Sequence, residues 1–275
     1  MKPSTSQLHN PINTAKPSRP AVARTAIKLT IIAAFAVACG LALFTQASLS
    51  RPNQANVAAP QKNESAGERH ARERFDFLVR ADFFAGFEGD KAAFERGMKT
   101  CEEVLAKNPQ HAEALVWHGG GLVFRAGQQF QKGDFQRGME TWNRGLKEMD
   151  AAIAMEPENV GVLIPRGATL LVASRFAKPE AEARRLLELA VGDYEKVLQL
   201  QFGTFASLSG HARGELLFGL AEGWQRLGDQ AKARAYFGRL ADEAPGSARQ
   251  QQASAFLETG KLVASTASCV GCHKR

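Results

Sequence analysis

Apolar residues recur at helical spacing from Phe75 onward, and runs of alternating Val, Ile and Thr are missing. A period near 3.6 residues without a period of two is the pattern of amphipathic helices. Three Gly-Asp pairs interrupt the pattern, at positions 89–90, 133–134 and 228–229. Glycine suits the left-handed residue that ends one helix, and aspartate accepts hydrogen bonds from the free N–H groups that begin the next. The sequence therefore predicts an all-α domain whose helices meet at tight corners.

The clearest helix pair lies at residues 214–247, GELLFGLAEGWQRLGDQAKARAYFGRLADEAPGS. Large and small side chains follow one another there in a characteristic order: Leu217, Leu220, Ala221, Trp224, Ala233, Phe237, Leu240 and Pro245. This order resembles the tetratricopeptide repeat, a pair of antiparallel helices that pack closely at small residues. The resemblance implies that Ala221 and Ala233 lie where the helices cross and that Pro245 ends the second helix.

The second-helix half of the same pattern occurs three times upstream. The small residue, the large residue and the stop are Gly97, Cys101 and Pro109; Gly145, Met149 and Pro157; and Ala190, Tyr194 and Phe202. From stop to stop the units measure 48, 45 and 43 residues, against about 34 in a regular tetratricopeptide array. We expect the extra residues to lengthen helices or loops, as at 119–134 and 173–183. The resemblance covers about residues 76–247, and the last unit is the strongest match.

Residues 70–260 are therefore predicted to form a tetratricopeptide-like solenoid of helical hairpins, with a polar-faced capping helix at about 247–259. An irregular helical bundle is the alternative. In the family, the concave face of the solenoid binds peptides or partner helices, so the resemblance implies a protein partner on that face. The candidate exposed positions of this groove are Arg125, Arg166 and Arg213, and the alternative is that these three side chains are plain solvated charges.

The N-terminal part of the chain has a different pattern. Residues 29–50, which include LTIIAAFAVACGLALF, run for 22 positions without a charge, enough for a helix to cross a bilayer. Residues 1–28 contain five basic and no acidic side chains. Residues 51–69 are rich in Pro, Asn, Gln, Ser and Ala without an apolar period, which is typical of a flexible linker. The sequence predicts a basic cytoplasmic N-terminus, one transmembrane helix and a tethered helical domain.

The basic flank also predicts the side of the membrane. Because basic flanks stay cytoplasmic, we expect a single-pass protein of the bacterial inner membrane with its C-terminal domain in the periplasm. Two alternatives stay open: residues 29–50 could belong to a signal peptide that is cleaved near Ala47, or Cys39 could be the lipidated residue of a lipoprotein signal. All three interpretations export the domain.

Locating the charge changes the expected partner. A formal charge of +7 would ordinarily favour nucleic acid. Five of these charges lie within residues 1–50, and the other 225 residues carry only +2. The basicity therefore indicates orientation in a membrane, and we expect no nucleic-acid partner.

The segment 261–275 contains SCVGCHKR, with the spacing Cys269-x-x-Cys272-His273. This pentapeptide resembles to the letter the attachment sequence of c-type haem. The resemblance implies that Cys269 and Cys272 form thioethers with one haem and that His273 is the proximal iron ligand. In the family this attachment takes place outside the inner membrane, where the N-terminal pattern would place the segment.

Other chemistries of these thiols stay open. The segment could be unmodified, with or without a disulfide between Cys269 and Cys272, or it could serve in thiol redox or zinc binding. Zinc needs four ligands and the segment offers three. Of the other two cysteines, one lies in the apolar stretch, and Cys101 is predicted to be a core side chain. Two residues follow the haem motif in this sequence, so the helical domain, a second copy or a partner would have to cover an attached haem.

The sixth iron ligand has several candidates: Met98, Met139, Met149, Met155, His111, His118 and His211. His118 has one additional argument, because Gly119-Gly120-Gly121 would let a flat ligand approach the backbone closely. Tight helix packing explains the three glycines equally well.

The sequence shows no set of residues that is typical of a catalytic site. No Gly-x-Ser-x-Gly, phosphate-binding loop or His-Glu-x-x-His occurs in the sequence. We expect an exported scaffold that binds a protein partner and carries one covalent haem c, for electron transfer or haem-linked assembly. The alternatives are a plain envelope scaffold with an unmodified C-terminal segment and, third, an enzyme whose haem binds a small ligand or peroxide at an open position.

Overall fold

The computed structural model describes residues 74–262, and helices are the only regular elements in this range. The α-helices are α1 (Asp76–Phe87), α2 (Lys91–Lys107), α3 (Ala112–Gln131), α4 (Phe135–Met155), α5 (Val160–Ala173), α6 (Glu180–Leu200), α7 (Gly210–Leu227), α8 (Gln230–Glu243) and α9 (Gln250–Thr259). A 3₁₀ helix, Phe202–Ser207, lies between α6 and α7. The predicted all-α class is confirmed for the described range.

The Gly-Asp pairs form the corners that the sequence predicts. Their glycines have φ angles of +113°, +81° and +92°, which L side chains rarely adopt. Asp229 begins α8 by accepting a hydrogen bond from the backbone N–H of Lys232 at 2.9 Å. Asp90 and Asp134 begin α2 and α4 in the same way. Each pair therefore ends one helix and starts the next within two residues.

Consecutive helices pack as hairpins: α1 with α2, α3 with α4, α5 with α6, and α7 with α8. Helix α9 packs on α8. The first helices of the hairpins also contact one another. The ring of Phe83 lies 5.3 Å from that of Trp117, and the ring of Phe87 lies 4.8 Å from that of Phe124, so α1 and α3 run in the same direction. Their hairpin corners therefore lie at the same end.

The last hairpin matches its prediction closely. Helices α7 and α8 span most of residues 214–247, and Ala221 and Ala233 are fully buried, as close helix packing requires. Helix α8 ends at Glu243, two residues before Pro245. The upstream hairpins contain longer helices, of 20 residues in α3 and 21 in both α4 and α6. This lengthening accounts for most of the extra residues in their units.

Helix α9 lies within the segment 247–259, for which the sequence predicts a helix. The predicted core position of Cys101 is also confirmed, because its side chain is fully buried. Burial, together with the nearby Glu102 and Glu148 carboxylates, raises the pKa of the Cys101 thiol to about 12. This thiol therefore stays protonated at neutral pH.

Helix α3 approaches α4 most closely at a pair of glycines. A Cβ atom on Gly119 would lie 2.7 Å from the carbonyl oxygen of Gly145, and a Cβ on Gly145 would lie 2.7 Å from the carbonyl oxygen of Gly119. Both distances are shorter than real Cβ contacts, and the atom in the way is backbone in each case. Neither position can therefore accept a side chain unless the two helices move apart.

The next two glycines of α3 face other neighbours, because successive helical residues point about 100° apart. A Cβ on Gly120 would lie 3.0 Å from Oγ1 of Thr169 in α5. A Cβ on Gly121 would overlap the sulfur of Met98 in α2 and would lie 2.7 Å from the ring of Phe83 in α1. The three glycines thus allow four helices to pack around α3.

The predicted transmembrane helix at 29–50, with residues 1–28 and 51–69, lies outside the described residues. Between positions 74 and 262, none of the helices combines the length and apolar character that a membrane span needs.

The close approach at Gly119 predicts a stability difference between two substitutions in one helix. Gly119→Ala should lower the free energy of unfolding by about 2 kcal/mol, because the new methyl group meets backbone. Gly127→Ala is the matched control: a Cβ there has nothing within 4 Å. It should raise stability by about 0.5–1 kcal/mol through helix propensity. Urea unfolding of the full-length protein in detergent measures both. A Gly119→Ala protein as stable as Gly127→Ala would contradict the packing described.

Candidate functional site

The predicted haem-binding residues, Cys269, Cys272 and His273, lie outside the described residues, so their roles stay predictions. Within 74–262, no group of three or more His, Cys, Asp or Glu side chains is arranged to hold a metal ion. Three kinds of feature can be examined within 74–262: the candidate sixth ligands of the haem iron, the buried charged side chains and the exposed apolar side chains.

His118 lies in α3 with only 3% of its surface exposed. Its Nδ1 atom is 2.5 Å from Oε2 of Glu148 in α4, and its Nε2 atom is 3.6 Å from Oε1 of Glu102 in α2. Both ring nitrogens thus face carboxylates of neighbouring helices. Binding of this imidazole to iron would require the loss of one of these contacts. The prediction of His118 as sixth ligand stays a prediction, and its contacts give it a role in helix packing.

The partner carboxylate of His118 is held in its ionised form. Burial works to raise the pKa of Glu148, but hydrogen bonds with His118 and Arg144 outweigh burial and bring the pKa below its ordinary value. Arg144 donates to Oε1 of this carboxylate at 2.8 Å. The cluster therefore places a stable negative charge between α3 and α4.

The other candidate iron ligands differ in exposure. Met98 and Met149 are each 1% exposed and pack beside the α3 glycines. His111 immediately precedes α3, and its Nδ1 atom accepts a hydrogen bond from the backbone N–H of Ala114. His211 is partly buried at the start of α7. The methionines with exposed side chains are Met139, at 49%, and Met155, at 42%, both in α4.

The prediction of exposed groove arginines is wrong for Arg166, which is 6% exposed. It donates to both carboxylate oxygens of Asp193 in α6, at 2.9 and 3.2 Å, and to Oδ1 of Asp150 in α4 at 2.9 Å. Arg125 and Arg213 are also partly buried in contacts with neighbouring elements. The three arginines thus hold helices together.

The pairing around Arg166 has an electrostatic cost. Burial raises the pKa of Asp193 to about 7, although the Arg166 charge and its hydrogen bond work to lower it. Asp150 adds a second negative charge nearby and is itself exposed. The Arg166 guanidinium therefore offsets only part of the cost of burying the Asp193 carboxylate between α5 and α6.

A second cluster holds α5 against α7. Arg226 donates to the carbonyl oxygen of Leu171 at 2.8 Å and to Oγ of Ser174 at 2.7 Å. Arg175 pairs with the buried Glu222 carboxylate. The C-terminal ends of these two first helices are therefore adjacent, and their corners lie at one end of the domain.

The solvent-exposed face of α5 is apolar along its length. Its exposed positions are Ile164, Ala168, Val172 and, just beyond the helix, Arg175 and Phe176. We call Ile164, Ala168, Val172 and Phe176 the α5 stripe. The exposed fraction is 39% for Ile164, 51% for Val172 and 73% for Phe176. Contiguous exposed apolar surface marks interaction sites in soluble domains.

The α5 stripe also explains the error at Arg166. A residue two positions along a helix points about 200° away, so Arg166 lies opposite Ile164 and Ala168. The exposed side of this helix is therefore apolar, and the arginine faces Asp193 of α6. Arg166 and Thr169 are the only polar residues in VGVLIPRGATLLVA, and a helix that is apolar on nearly every face indicates burial, so the sequence gives no signal for an exposed stripe.

Comparison with family models, curated proteins and solved structures gives no match to this chain. The two resemblances described above, to the tetratricopeptide repeat and to the c-type haem attachment sequence, therefore depend on the residues quoted for them.

The Arg166 pair predicts a pH-dependent loss of stability. Arg166→Met leaves the Asp193 carboxyl buried without its partner, which should cost about 3–5 kcal/mol when the carboxyl is ionised. Its folded pKa then rises further, so the stability present at low pH continues to be lost above pH 7, where the loss in the wild type ends. Urea unfolding should show a gap between variant and wild type that widens from pH 7 to pH 9.

The matched control is the double variant Arg166→Met, Asp193→Asn, which has no orphaned carboxylate. Its difference from the wild type should not widen over the same pH range. A gap of the single variant that stays constant from pH 5 to pH 9 would show that Asp193 is not the cause.

Proposed function

We propose that this protein is an exported, membrane-anchored scaffold of tetratricopeptide-like hairpins that carries one covalent c-type haem near its C-terminus. The haem would serve electron transfer or haem-linked assembly. The observation that carries the proposal is the presence, in one chain, of an uncharged apolar stretch at 29–50 and an intact Cys269-x-x-Cys272-His273 sequence. Export through the apolar stretch would place the thiols where the family attaches haem, outside the inner membrane.

The described helices support the scaffold part of the proposal. Four hairpins follow one another between positions 76 and 243, with first helices in contact and tight corners at three Gly-Asp pairs. Such an arrangement suits a solenoid, whose concave face is built from the first helices. The α5 stripe lies on a first helix and offers apolar surface to a protein partner.

The proposed location is the bacterial inner membrane, with residues 29–50 as a single span and the helical domain in the periplasm. Residues 51–69 would separate the membrane from the domain. The near-neutral charge of residues 51–275 favours a protein partner over nucleic acid.

A second candidate is a plain periplasmic scaffold whose C-terminal segment carries no haem. The α5 stripe favours it, because an exposed apolar face can bind a partner without any cofactor. The two candidates differ in the role of the thiols. Substitution of both Cys269 and Cys272 by Ala should abolish function under the first and leave partner binding intact under the second.

The haem proposal is tested with full-length protein made together with a haem-attachment system. The purified protein should show a Soret band and an intact mass increased by one haem. The variant with Cys269→Ala and Cys272→Ala should lose both signals. Cys101→Ala is the matched control and should keep both, because that thiol is buried and protonated. Wild-type protein of unmodified mass would contradict the proposal.

A further inference from the structure

One guanidinium is shared by the two middle hairpins of the domain. Through Nη1, Arg166 of α5 donates to Asp193 of α6, within its own hairpin, at 2.9 and 3.2 Å. Through Nη2 it donates to Asp150 of α4, in the preceding hairpin, at 2.9 Å. The Arg166 side chain is buried, so two carboxylates compete for one positive charge that has little contact with water.

This cluster holds one positive and two negative charges when both carboxyl groups are ionised. An excess charge is costly where water is excluded, so the carboxyl group with the least water is the one that takes a proton from solvent. The side chain of Asp193 is 8% exposed and that of Asp150 is 58% exposed. In agreement, burial raises the pKa of Asp193 to about 7 against the charge and hydrogen bond of Arg166, and Asp150 adds to the rise.

The other elements around Asp193 leave this balance to Arg166 and Asp150. Helix α7, which also packs on α6, approaches the neighbouring Tyr194 ring with Gly219. The 3₁₀ helix that follows α6 contains no charged side chain. The three cations of α6 itself are each paired with another carboxylate: Arg184 with Glu188, Arg185 with Glu182, and Lys196 with Glu158.

The bond between Arg166 and Asp150 crosses the joint between the two hairpins. Helix α5 packs on α3 of the preceding hairpin and also contacts α4. At the start of α5, Asn159 donates to Oε1 of Glu113 in α3 at 3.2 Å. Arg166 adds an ionic link to α4 at the same joint. The strength of this link therefore contributes to how firmly the first two hairpins are held to the last two.

We propose that Arg166, Asp150 and Asp193 form a proton-controlled link between the α3–α4 and α5–α6 hairpins. When Asp193 is neutral, Asp150 is the one anion of the cluster, and Arg166 binds the preceding hairpin more strongly. When Asp193 is ionised, it competes for the guanidinium and repels Asp150, and the joint loosens. The link involves residues 150–193 alone, so it goes beyond the proposed function and does not depend on haem or on a membrane anchor.

Asp150→Asn removes the carboxylate of the joint, and its effect on stability should depend on pH. At pH 5.5, where Asp193 is neutral, Arg166 loses its remaining anion, and we expect the folding equilibrium constant to fall about fivefold. At pH 8.5 we expect little change, because Asp193 still pairs with Arg166 and is relieved of a like charge. Urea unfolding of the full-length protein in detergent measures both effects, each against the wild type at the same pH.

Asp193→Asn provides the background in which this pH dependence should vanish. The amide cannot ionise, so Arg166 has Asp150 as its carboxylate partner at both pH values. In this background Asp150→Asn should lower the folding equilibrium constant about fivefold at pH 5.5 and at pH 8.5 alike. Glu158→Gln, in the wild-type background, is the matched control. Pairing with Lys196 holds the pKa of Glu158 below its ordinary value, so its effect should be equal at the two pH values.

Hydrogen exchange measures the joint itself. After correction for the intrinsic pH dependence of exchange, the amides of residues 156–163 should be about fivefold better protected at pH 5.5 than at pH 8.5 in the wild type. In Asp150→Asn their protection should be equal. The amides of residues 226–232, at the corner between α7 and α8, are the control and should show no such difference.

Two results overturn the proposal. One is an effect of Asp150→Asn on wild-type stability that is the same at pH 5.5 and pH 8.5. The other is equal protection of residues 156–163 at the two pH values in the wild type. Either result leaves the haem proposal untouched, and an unmodified mass of the full-length protein leaves this proposal untouched.

Discussion

The packing of four helices around the centre of α3 is the constraint on which the rest of the structure depends. Gly119, Gly120 and Gly121 point in three directions, and each allows a different neighbour to approach the backbone. Gly145 of α4 completes the closest of these contacts. With α3 fixed in this way, the first helices of the hairpins on either side, α1 and α5, each contact α3. The corners of these hairpins lie at one end of the domain.

This close packing has two consequences for charged and apolar groups. Charges enclosed between helices must be paired, as Glu148 is with His118 and Arg166 is with Asp193. These side chains are thereby occupied in holding the domain together. Meanwhile α5, which has neighbours on its other sides, keeps one apolar face exposed. The α5 stripe is therefore an apolar surface that the fold leaves exposed.

Features set by neighbouring residues were predictable from the sequence, and features set by distant ones were not. The Gly-Asp corners, the helix break before Pro245 and the burial of Cys101 follow from local conformation and helical spacing. The side on which Arg166 lies depends on how α5 is turned against α6, which repeat spacing alone does not define. The choice between a ligand role and a packing role for His118 depends on Glu102 and Glu148, which only the fold brings near it. The α5 stripe was missed because a helix that is apolar on nearly every face gives no amphipathic signal.

We propose that one haem is bound covalently by Cys269 and Cys272. The test is tandem mass spectrometry of the tryptic peptide 262–274 from full-length protein isolated from the cells that produce it. We expect a peptide that carries one haem through thioether bonds to both cysteines. Recovery of that peptide with free thiols or an internal disulfide, and without haem, would contradict it.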